Sequence, residues 1–130
     1  MNPSRVVLVT GGSKGIGQSI AVRLAQAGHH VAATYRSGEV PQGVLGVQCD
    51  VTDPDQVEAA FAQVESALGT VEVLVANAGV TRDTLLMRMS DEDWDQVIAT
   101  NLTGAFRVAR RAARPMIRGR FGRLVFISST

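Results

Sequence analysis

The sequence predicts an α/β fold in which helices cover both faces of a parallel β-sheet. Short runs rich in Val, Leu and Ile alternate with longer helical patterns at the spacing of β-α-β units, and no internal repeat interrupts them. The first apolar run, Val6 to Val9, changes abruptly into the glycine-rich stretch Thr10 to Gly17, after which helical spacing begins. The 130 residues are 45% hydrophobic and 19% charged, a composition that suits one globular domain with a sizeable core.

The first two predicted strands are joined by one amphipathic helix. Arg5 to Thr10 forms the first strand, and Val31 to Tyr35 forms the second. Gly28 is suited to end the helix between them, because glycine adopts the left-handed backbone of a helix C-terminus without strain. The side chains expected to face the core share helical spacing and are Ile16, Ile20, Leu24 and Ala27.

The middle of the chain adds two further strands around a capped helix. A loop over Ser37 to Gly43 precedes a third strand from Val44 to Cys49, and Val71 to Val75 forms a fourth strand that is buried on both faces. The helix between them has a cap at Asp53, a proline at its first position and Gln56 at the capping-box position. Its expected buried stripe consists of Val57, Ala60, Phe61, Val64 and Leu68.

The last part of the chain predicts a long helix and a fifth strand. Ser90 caps the helix, and helical spacing continues past Asn101 to about Ile117, with Pro115 expected to bend or loosen the last turn. Leu124 to Ile127 forms the fifth strand. Five parallel strands with right-handed crossovers, in the order 3-2-1-4-5, make up most of a Rossmann-type fold. Its ligand crevice lies at the carboxyl ends of strands one and four.

The glycine-rich stretch is the strongest indication of a ligand. Gly11, Gly15 and Gly17 have the spacing G-x-x-x-G-x-G, which differs from the phosphate loop of nucleoside triphosphatases. A dinucleotide pyrophosphate over this turn needs a sharp bend, close approach of the backbone and close packing of helix on strand, all of which glycine permits. The amide groups of the first helical turn would then face the phosphates. The alternative interpretation is a glycine turn without a ligand.

The net charge of +1 conceals a local excess of positive charge. Residues 101–130 carry seven arginines and no acid, whereas residues 1–100 carry more acidic than basic side chains. An arginine-rich face meets an acidic partner or water; nucleic acid is the least favoured ligand, because no aromatic side chains alternate with the arginines. We interpret most of this face as solvated, namely Arg107, Arg110, Arg111, Arg114 and Arg118.

Several kinds of site are not expected. The apolar runs are shorter than the ~20 residues of a membrane-spanning helix, and Met1 to Arg5 leads into the first strand without a secretory leader. We therefore expect a cytoplasmic protein without a membrane contact. Cys49 is interpreted as a buried strand thiol, and the adjacent His29 and His30 as turn residues, so no metal site is expected.

Five motifs, in order, resemble the short-chain dehydrogenase/reductase family over essentially the whole chain. They are Thr10-Gly11-x-x-x-Gly15-Ile16-Gly17, Asp50-Val51, Asn77-Ala78-Gly79, Asn101-Leu102-Thr103-Gly104 and Ile127-Ser128-Ser129. Within this family, Leu86 to Met89 and Gly104 to Val108 resemble the 3-oxoacyl-(acyl carrier protein) reductases of the mycobacterial type. The resemblance implies a nicotinamide dinucleotide cofactor and a carbonyl substrate.

The resemblance also implies a role for each motif. Asn101 and Ser129 would belong to the catalytic tetrad, in which Ser129 hydrogen-bonds the substrate carbonyl and Asn101 holds a water of the proton relay. The implied cofactor contacts are Gly11, Ser13, Lys14, Gly15, Ile16 and Gly17 at the phosphates and ribose, Asp50 and Val51 at the adenine, and Asn77, Ala78 and Gly79 beside the adenosine ribose. The alternative interpretation is that the two asparagines only satisfy backbone groups and that the serine is an ordinary turn residue.

One motif of the family has no counterpart in the chain. The family's proton donor and its helper form a Tyr-x-x-x-Lys pair on the helix after the fifth strand, but Tyr35 and Lys14 are the only tyrosine and lysine here. We therefore expect residues 1–130 to be the N-terminal, dinucleotide-binding part of a single Rossmann-type reductase domain whose C-terminal part is missing. The 130-residue chain by itself is predicted to be inactive.

The end of the second strand predicts NADP(H) as the cofactor. Tyr35-Arg36 provides no acid to accept hydrogen bonds from a ribose 2′-hydroxyl, while Arg36 and Lys14 are both basic enough to bind a 2′-phosphate. The resemblance then implies NADPH-dependent reduction of 3-oxoacyl thioesters in fatty acid synthesis. The alternatives are a related reductase acting on a sugar, steroid or simple ketone, and a dinucleotide-binding module without catalysis.

The resemblance implies two protein partners. Arg120 lies where carrier-protein reductases present a basic patch to the acidic acyl carrier protein. The full-length protein is expected to be a homo-oligomer, as a tetramer, with no nucleic acid partner.

Overall fold

A five-stranded parallel sheet organises the computed structural model, which describes residues 3–129. The order is β3-β2-β1-β4-β5, which confirms the predicted Rossmann-type order. The described residues do not include Met1, Asn2 or Thr130. Both ends of the predicted domain, residues 1–130, therefore lie outside them. The strands are β1 (Val6–Val9), β2 (His30–Tyr35), β3 (Leu45–Gln48), β4 (Val73–Ala76) and β5 (Arg123–Phe126).

Helices connect the strands on the two faces of the sheet. They are α1 (Gly15–Gln26), α2 (Pro54–Leu68), α3 (Asp91–Val97) and α4 (Gly104–Gly119), with a 3-10 turn over Leu86–Arg88 and a π-helical segment over Ile98–Thr103. The π-helical segment joins α3 to α4, so the predicted continuous helix is interrupted there. The helix continues through Pro115 to Gly119, two residues beyond its predicted end.

The predicted helix caps are present, with one change of hydrogen bonding. The Asp53 carboxylate accepts from the backbone amides of Asp55 and Gln56, and Ser90 accepts from the amide of Asp93. In a regular capping box the Gln56 side chain would accept from the backbone amide of Asp53. Here its side-chain oxygen instead accepts from the backbone amide of Asp50 at 2.9 Å, and its side-chain amide group donates to the Asp53 carboxylate. The glutamine thereby ties the start of α2 to the end of β3.

Two apolar cores cover the two faces of the sheet. Alternate residues of each strand belong to opposite cores because side chains alternate across a strand. The core under α1 contains Val7, Val9, Ala21, Val31, Ala33 and Val75. The core under α2 and α4 includes Leu8, Ala32, Val47, Phe61, Val64, Leu74, Val108 and Ala112.

Some predicted core positions are wrong. Ile16 is 63% exposed, and Ala27 is exposed at the C-terminal cap of α1. The buried side of α1 is set by Gly17 and Ala21, since the small residues allow the helix to approach the sheet and turn Ile16 outward. Ile20 and Leu24 are only partly buried.

The fourth strand starts two residues later than predicted. Val71 is buried but precedes β4, and Glu72 lies between them with its carboxylate bonded to the amide of Val6 and the guanidinium of Arg5. Parallel pairing with β1 therefore begins at Val73, which lies opposite Val7. Across residues 3–129, no helix is both long enough and apolar enough to cross a membrane.

Candidate functional site

A crevice of about 640 Å³ opens at the carboxyl ends of the strands, where β1, β2 and β4 lie side by side. This is where a parallel sheet with this strand order forms a ligand site. Most of the predicted cofactor residues line it, namely Gly11, Ser13, Lys14, Gly15, Ile16, Arg36, Val51, Asn77, Ala78 and Gly79. Two predicted residues, Gly17 and Asp50, are not among its lining residues.

The glycine turn has no room for a side chain at Gly11, Gly12 or Gly17. Gly11 has a φ of 71°, and a β-carbon there would lie 2.9 Å from the α-carbon of Ala78. A β-carbon on Gly17 would overlap the carbonyl oxygen of Gly11 and the side-chain amide of Asn77. Gly15, with a φ of 59°, faces open space instead. The turn is thus packed against the β4 loop on one side and open to a ligand on the other.

Three polar side chains hold the glycine turn in place. The Thr10 hydroxyl accepts from the backbone amides of Asn77 and Ala78 at 2.9 and 3.0 Å. The Thr34 hydroxyl accepts from the amide of Gly11 at 3.1 Å, and the Asn77 side chain donates to the Gly11 carbonyl at 2.9 Å. Thr10 opens the glycine motif but was given no role of its own, and Thr34 was not predicted, although a polar residue at the end of an apolar strand is a usable signal.

The N-terminus of α1 points its backbone amides toward the crevice. Lys14 is the N-cap residue, and its side chain makes no capping hydrogen bond within the described chain. The first-turn amides are therefore available, and the helix dipole adds a partial positive charge at the same place. Ser13, Lys14 and Gly15 all line the crevice there, which suits a phosphate group.

Asp50 lies in a smaller hollow beside the crevice. This hollow of about 460 Å³ is lined by Arg36, Gln48, Cys49, Asp50 and Gln56. Burial disfavours the charged form of Asp50, but hydrogen bonds from the amide and hydroxyl of Thr52 and the nearby charge of Arg36 outweigh it. The pKa of the carboxyl group is consequently held below its ordinary value. Asp50 is an anion at neutral pH at the edge of the crevice.

Cys49 contributes a neutral surface to the crevice. Its side chain is buried, as predicted, and lines both hollows. Burial, together with the nearby negative charges of Asp50 and Asp53, raises the pKa of the thiol to about 11. The thiol is protonated at neutral pH, so it is not a reactive nucleophile.

Asn101 and Ser129, the predicted catalytic residues, are both outside the crevice lining. The Asn101 side chain forms a pair of hydrogen bonds with the backbone of Val80, accepting from its amide at 2.8 Å and donating to its carbonyl at 2.9 Å. This pair joins the π-helical segment to the loop after β4. Ser129 is exposed and follows Ile127, whose amide donates to the carbonyl of Ala76. Both residues therefore lie at the carboxyl ends of β4 and β5, on the same rim as the crevice.

Six lining residues were not predicted. They are Thr34, Tyr35, Ser37, Cys49, Val80 and Thr100. Thr100 differs from the others because it belongs to the π-helical segment and its hydroxyl is a buried group without a hydrogen-bond partner among the described residues. No sequence signal marks it, since helical spacing alone makes Thr100 an ordinary buried position.

A hollow of about 770 Å³ lies elsewhere, along the outer face of α1. It is shallow and mostly apolar, and the large apolar side chains that line it are Ile16, Ile20 and Leu24. The strand ends do not contribute to it, and it lacks the paired polar groups of the crevice. The crevice is therefore the candidate site, although it is slightly smaller.

Comparison with known proteins agrees with the fold and the glycine turn. The family model described as short chain dehydrogenase matches residues 5–130. The chain is 59% identical, over 126 residues, to the 3-oxoacyl-[acyl-carrier-protein] reductase MabA of Mycobacterium tuberculosis, which covers 97% of the chain and 51% of the relative. It is 56% identical to the reductase of the same name from Mycobacterium avium, covering 97% of the chain and 49% of the relative.

A more distant relative gives the same result. The 3-oxoacyl-[acyl-carrier-protein] reductase FabG of Staphylococcus aureus is 43% identical over 141 residues, covering 99% of the chain and 57% of the relative. The chain thus spans about half the length of the curated relatives it matches. The family match extends over nearly all of the residues, from the first strand to the end. The chain belongs to the short-chain dehydrogenase family.

Proposed function

We propose that this protein is an oxidoreductase of fatty acid synthesis that binds NADP(H) in the crevice. Its reaction is the reduction of 3-oxoacyl thioesters to 3-hydroxyacyl thioesters, with the acyl chain linked to acyl carrier protein or coenzyme A. The observation that carries the proposal is the glycine turn, which is open over Gly15 and fixed to the β4 loop by Thr10 and Asn77. The relatives MabA and FabG, both named as 3-oxoacyl-[acyl-carrier-protein] reductases, support the substrate class. Residues 1–130 are then the dinucleotide-binding part of one reductase domain.

The charge around the crevice supports NADP(H) rather than NAD(H). None of the residues that line it in the described chain is acidic, whereas Lys14 and Arg36 are both basic. Arg36 follows the end of β2 and is exposed. The carboxylate of Asp50, in the hollow beside the crevice, accepts hydrogen bonds from the amide and hydroxyl of Thr52. A 2′-phosphate therefore meets positive charge here, and charge-assisted hydrogen bonds to guanidinium groups stabilise it.

The chain's own residues supply binding and positioning. The first-turn amides of α1 and the Lys14 ammonium would hold the pyrophosphate, while Val51 and Asp50 would border the adenine. The bound nicotinamide would supply the hydride for carbonyl reduction. Ser129 would donate a hydrogen bond to the carbonyl oxygen as it becomes an alkoxide, and Asn101 would support the water of the proton relay.

Proton donation needs a group that these residues do not offer. Tyr35 lines the crevice at the end of β2, and Lys14 lies at the start of α1, so the two do not form an i, i+4 pair. We infer that the proton donor comes from sequence outside these residues. The same inference makes the 130-residue polypeptide inactive when it is expressed alone.

The remaining proposals concern assembly and location. Arg120 is the exposed C-cap residue of α4, with a left-handed backbone (φ 56°), and we propose it as a contact for the acidic acyl carrier protein. The full-length protein is proposed to be a cytoplasmic homo-oligomer. None of these proposals involves a metal ion.

The proposal is tested by turnover of the protein at the full length that its gene encodes. We expect NADPH oxidation with a 3-oxoacyl thioester on coenzyme A and on carrier protein. Ser129→Ala should lower kcat about 100-fold or more, because it removes a donor to the developing oxyanion. Ser128→Ala is the matched control and should keep most of the activity.

Other outcomes would contradict the proposal in different ways. Turnover of sugars, steroids or simple ketones without turnover of the thioester would transfer the protein to another substrate class of the same family. Tight NADPH binding without reduction of any carbonyl would instead indicate a dinucleotide-binding module. An unaffected Ser129→Ala enzyme would show that the oxyanion donor is a different residue.

A further inference from the structure

Thr100 is a buried residue on the edge of the crevice whose hydroxyl has no partner. It is 3% exposed, and its hydroxyl oxygen is the one buried side-chain polar atom among the described residues that makes no hydrogen bond. Threonine in a regular helix ordinarily bonds the carbonyl one turn back, but Thr100 lies in the π-helical segment Ile98–Thr103. An unpaired buried hydroxyl lowers the stability of the folded protein by about 1–3 kcal/mol. Such a group at the edge of a ligand crevice therefore points to a hydrogen-bond partner on the ligand.

The surroundings of Thr100 identify the part of the crevice it faces. It lies four residues before Gly104, the first residue of α4, and a β-carbon on Gly104 would lie 2.8 Å from a methyl group of Val51. The Arg107 guanidinium donates to the carbonyls of Val51 and Thr52 at 3.2 Å, which fixes the loop after β3 against α4. Thr100 and Val51 therefore line the same end of the crevice.

We propose that the Thr100 hydroxyl hydrogen-bonds the adenine half of the bound dinucleotide and is a further binding residue of the site. The inference rests on the proposed function, in which Val51 borders the adenine. A hydroxyl both donates and accepts, so it matches a purine edge, which carries ring-nitrogen acceptors beside an amino donor. The π-helical segment is the device that presents it, and such segments occur frequently at functional sites.

The test measures the affinity of the full-length protein for the whole dinucleotide and for each of its two halves, in variants that remove or keep the Thr100 hydroxyl. Thr100→Val removes the hydroxyl at nearly constant shape and should weaken both NADPH and adenosine 2′,5′-bisphosphate about fivefold to twentyfold. Reduced nicotinamide mononucleotide, which lacks the adenine half, should bind with unchanged affinity. Thr100→Ser keeps the hydroxyl and should bind all three ligands as the unaltered protein does.

Thermal unfolding of the free protein provides a second readout. Because the hydroxyl is unpaired without a ligand, Thr100→Val should leave the Tm unchanged or raise it. If that variant does not fold, Thr100→Ala compared with Thr100→Ser gives the same contrast in affinity. Unchanged affinity for adenosine 2′,5′-bisphosphate, or equal weakening of the nicotinamide half, would overturn the inference.

A lowered Tm of free Thr100→Val protein would also overturn it, since the hydroxyl would then have a partner within the protein. Failure of the unaltered protein to bind NADPH or adenosine 2′,5′-bisphosphate is a different result. It would refute the proposed function, and this inference with it. Binding by the unaltered protein with no effect of Thr100→Val refutes only the role of Thr100.

Discussion

Single side chains decide the shape of the crevice at positions where two strands end. Thr10 and Thr34 are both buried, at 2% and 3% exposure, and each hydroxyl accepts backbone amides that would otherwise lie unpaired beside the glycine turn. Asn77 closes the network by donating to the Gly11 carbonyl. Glycine provides the turn with its conformation, but these three polar residues fix its position relative to the sheet.

Arg36 is the residue whose charge should decide cofactor choice. Arg36→Asp should weaken NADPH binding by about 1.5–3 kcal/mol, because it replaces a charge-assisted contact to the 2′-phosphate with repulsion. The affinity for NADH, which lacks that phosphate, should stay the same or rise. The measurement is the Kd of both cofactors by fluorescence titration in the full-length protein.

Arg23→Asp is the control for this substitution. Arg23 is an exposed arginine of α1 that lines the hollow on the outer face of the helix and not the crevice. Arg23→Asp changes the net charge of the protein by the same amount as Arg36→Asp. Comparing the two variants therefore separates a local contact of Arg36 with the cofactor from the effect of the protein's overall charge. Equal affinities of the unaltered protein for NADH and NADPH would contradict the cofactor assignment.

At the scale of the elements, the amino ends of the strands are joined by a cluster around Glu72. Its carboxylate accepts from the Arg5 guanidinium at 2.8 Å and from the amide of Val6 at 3.1 Å, which ties β1 to the start of β4. The same guanidinium lies 3.6 Å from the ring centre of Phe121, which precedes β5. One arginine thus connects three neighbouring strands at the edge opposite the crevice.

Glu72 should make the stability of the fold depend on pH. Burial opposes its charged form, but hydrogen bonds from Val6 and Arg5 and the charge of Arg5 together hold the pKa of Glu72 below its ordinary value of 4.5. Because the folded pKa is depressed, the stabilisation is present above pH 4.5 and is lost as the pH falls through the folded value.

The variant Glu72→Gln tests this dependence. At neutral pH it should lower the free energy of unfolding by about 1 kcal/mol, and the difference from the unaltered protein should shrink as the pH falls below 4.5. Urea unfolding at several pH values measures it. Glu39→Gln, which changes an exposed carboxylate in the loop before β3, is the control; a difference that stays constant with pH would contradict the role of ionised Glu72.

The sequence predicted the elements well because the determinants of each element are local. Apolar spacing and the caps at Asp53 and Ser90 located the helices, and the strand order followed from right-handed crossovers. The π-helical segment and the exposed position of Ile16 were missed, because they depend on how closely α1 and α4 approach other elements. Thr100 could not be predicted for the same reason: whether a buried hydroxyl finds a partner depends on its tertiary neighbours.

At the scale of the whole molecule, charge and apolar surface are unevenly distributed. The arginines of α4 are partly neutralised by α2, since Arg111 bonds both Glu58 and Glu65. Arg111 therefore has a structural role, whereas we had interpreted the arginine-rich face as mostly solvated. Exposed apolar surface, by contrast, is concentrated on β5 at the edge of the sheet.

The exposed surface of β5 should make the 130-residue polypeptide associate with itself. Exposures of 43%, 44% and 51% at Leu124, Val125 and Phe126 leave both faces of this edge strand uncovered. The amides of Arg123 and Ile127 donate to the carbonyls of Glu72, just before β4, and of Ala76 in β4, so alternation directs the amides of Leu124 and Phe126 away from the sheet. An apolar edge strand with outward amides is a template for pairing with another chain.

The prediction is tested by light scattering and sedimentation of the 130-residue polypeptide over a range of concentrations. The unaltered polypeptide should form oligomers, and Phe126→Lys should raise the monomer fraction because a charged edge strand resists pairing. Met87→Lys is the matched control: Met87 is 91% exposed but lies before α3, outside β5, so its replacement should leave association unchanged. The same samples should show no NADPH-dependent carbonyl reduction, since the 130 residues contain no Tyr-x-x-x-Lys pair to donate the proton. A monomer at all concentrations would contradict the role of β5 as a template for pairing. Turnover by the polypeptide alone would show that the proton donor lies within these residues.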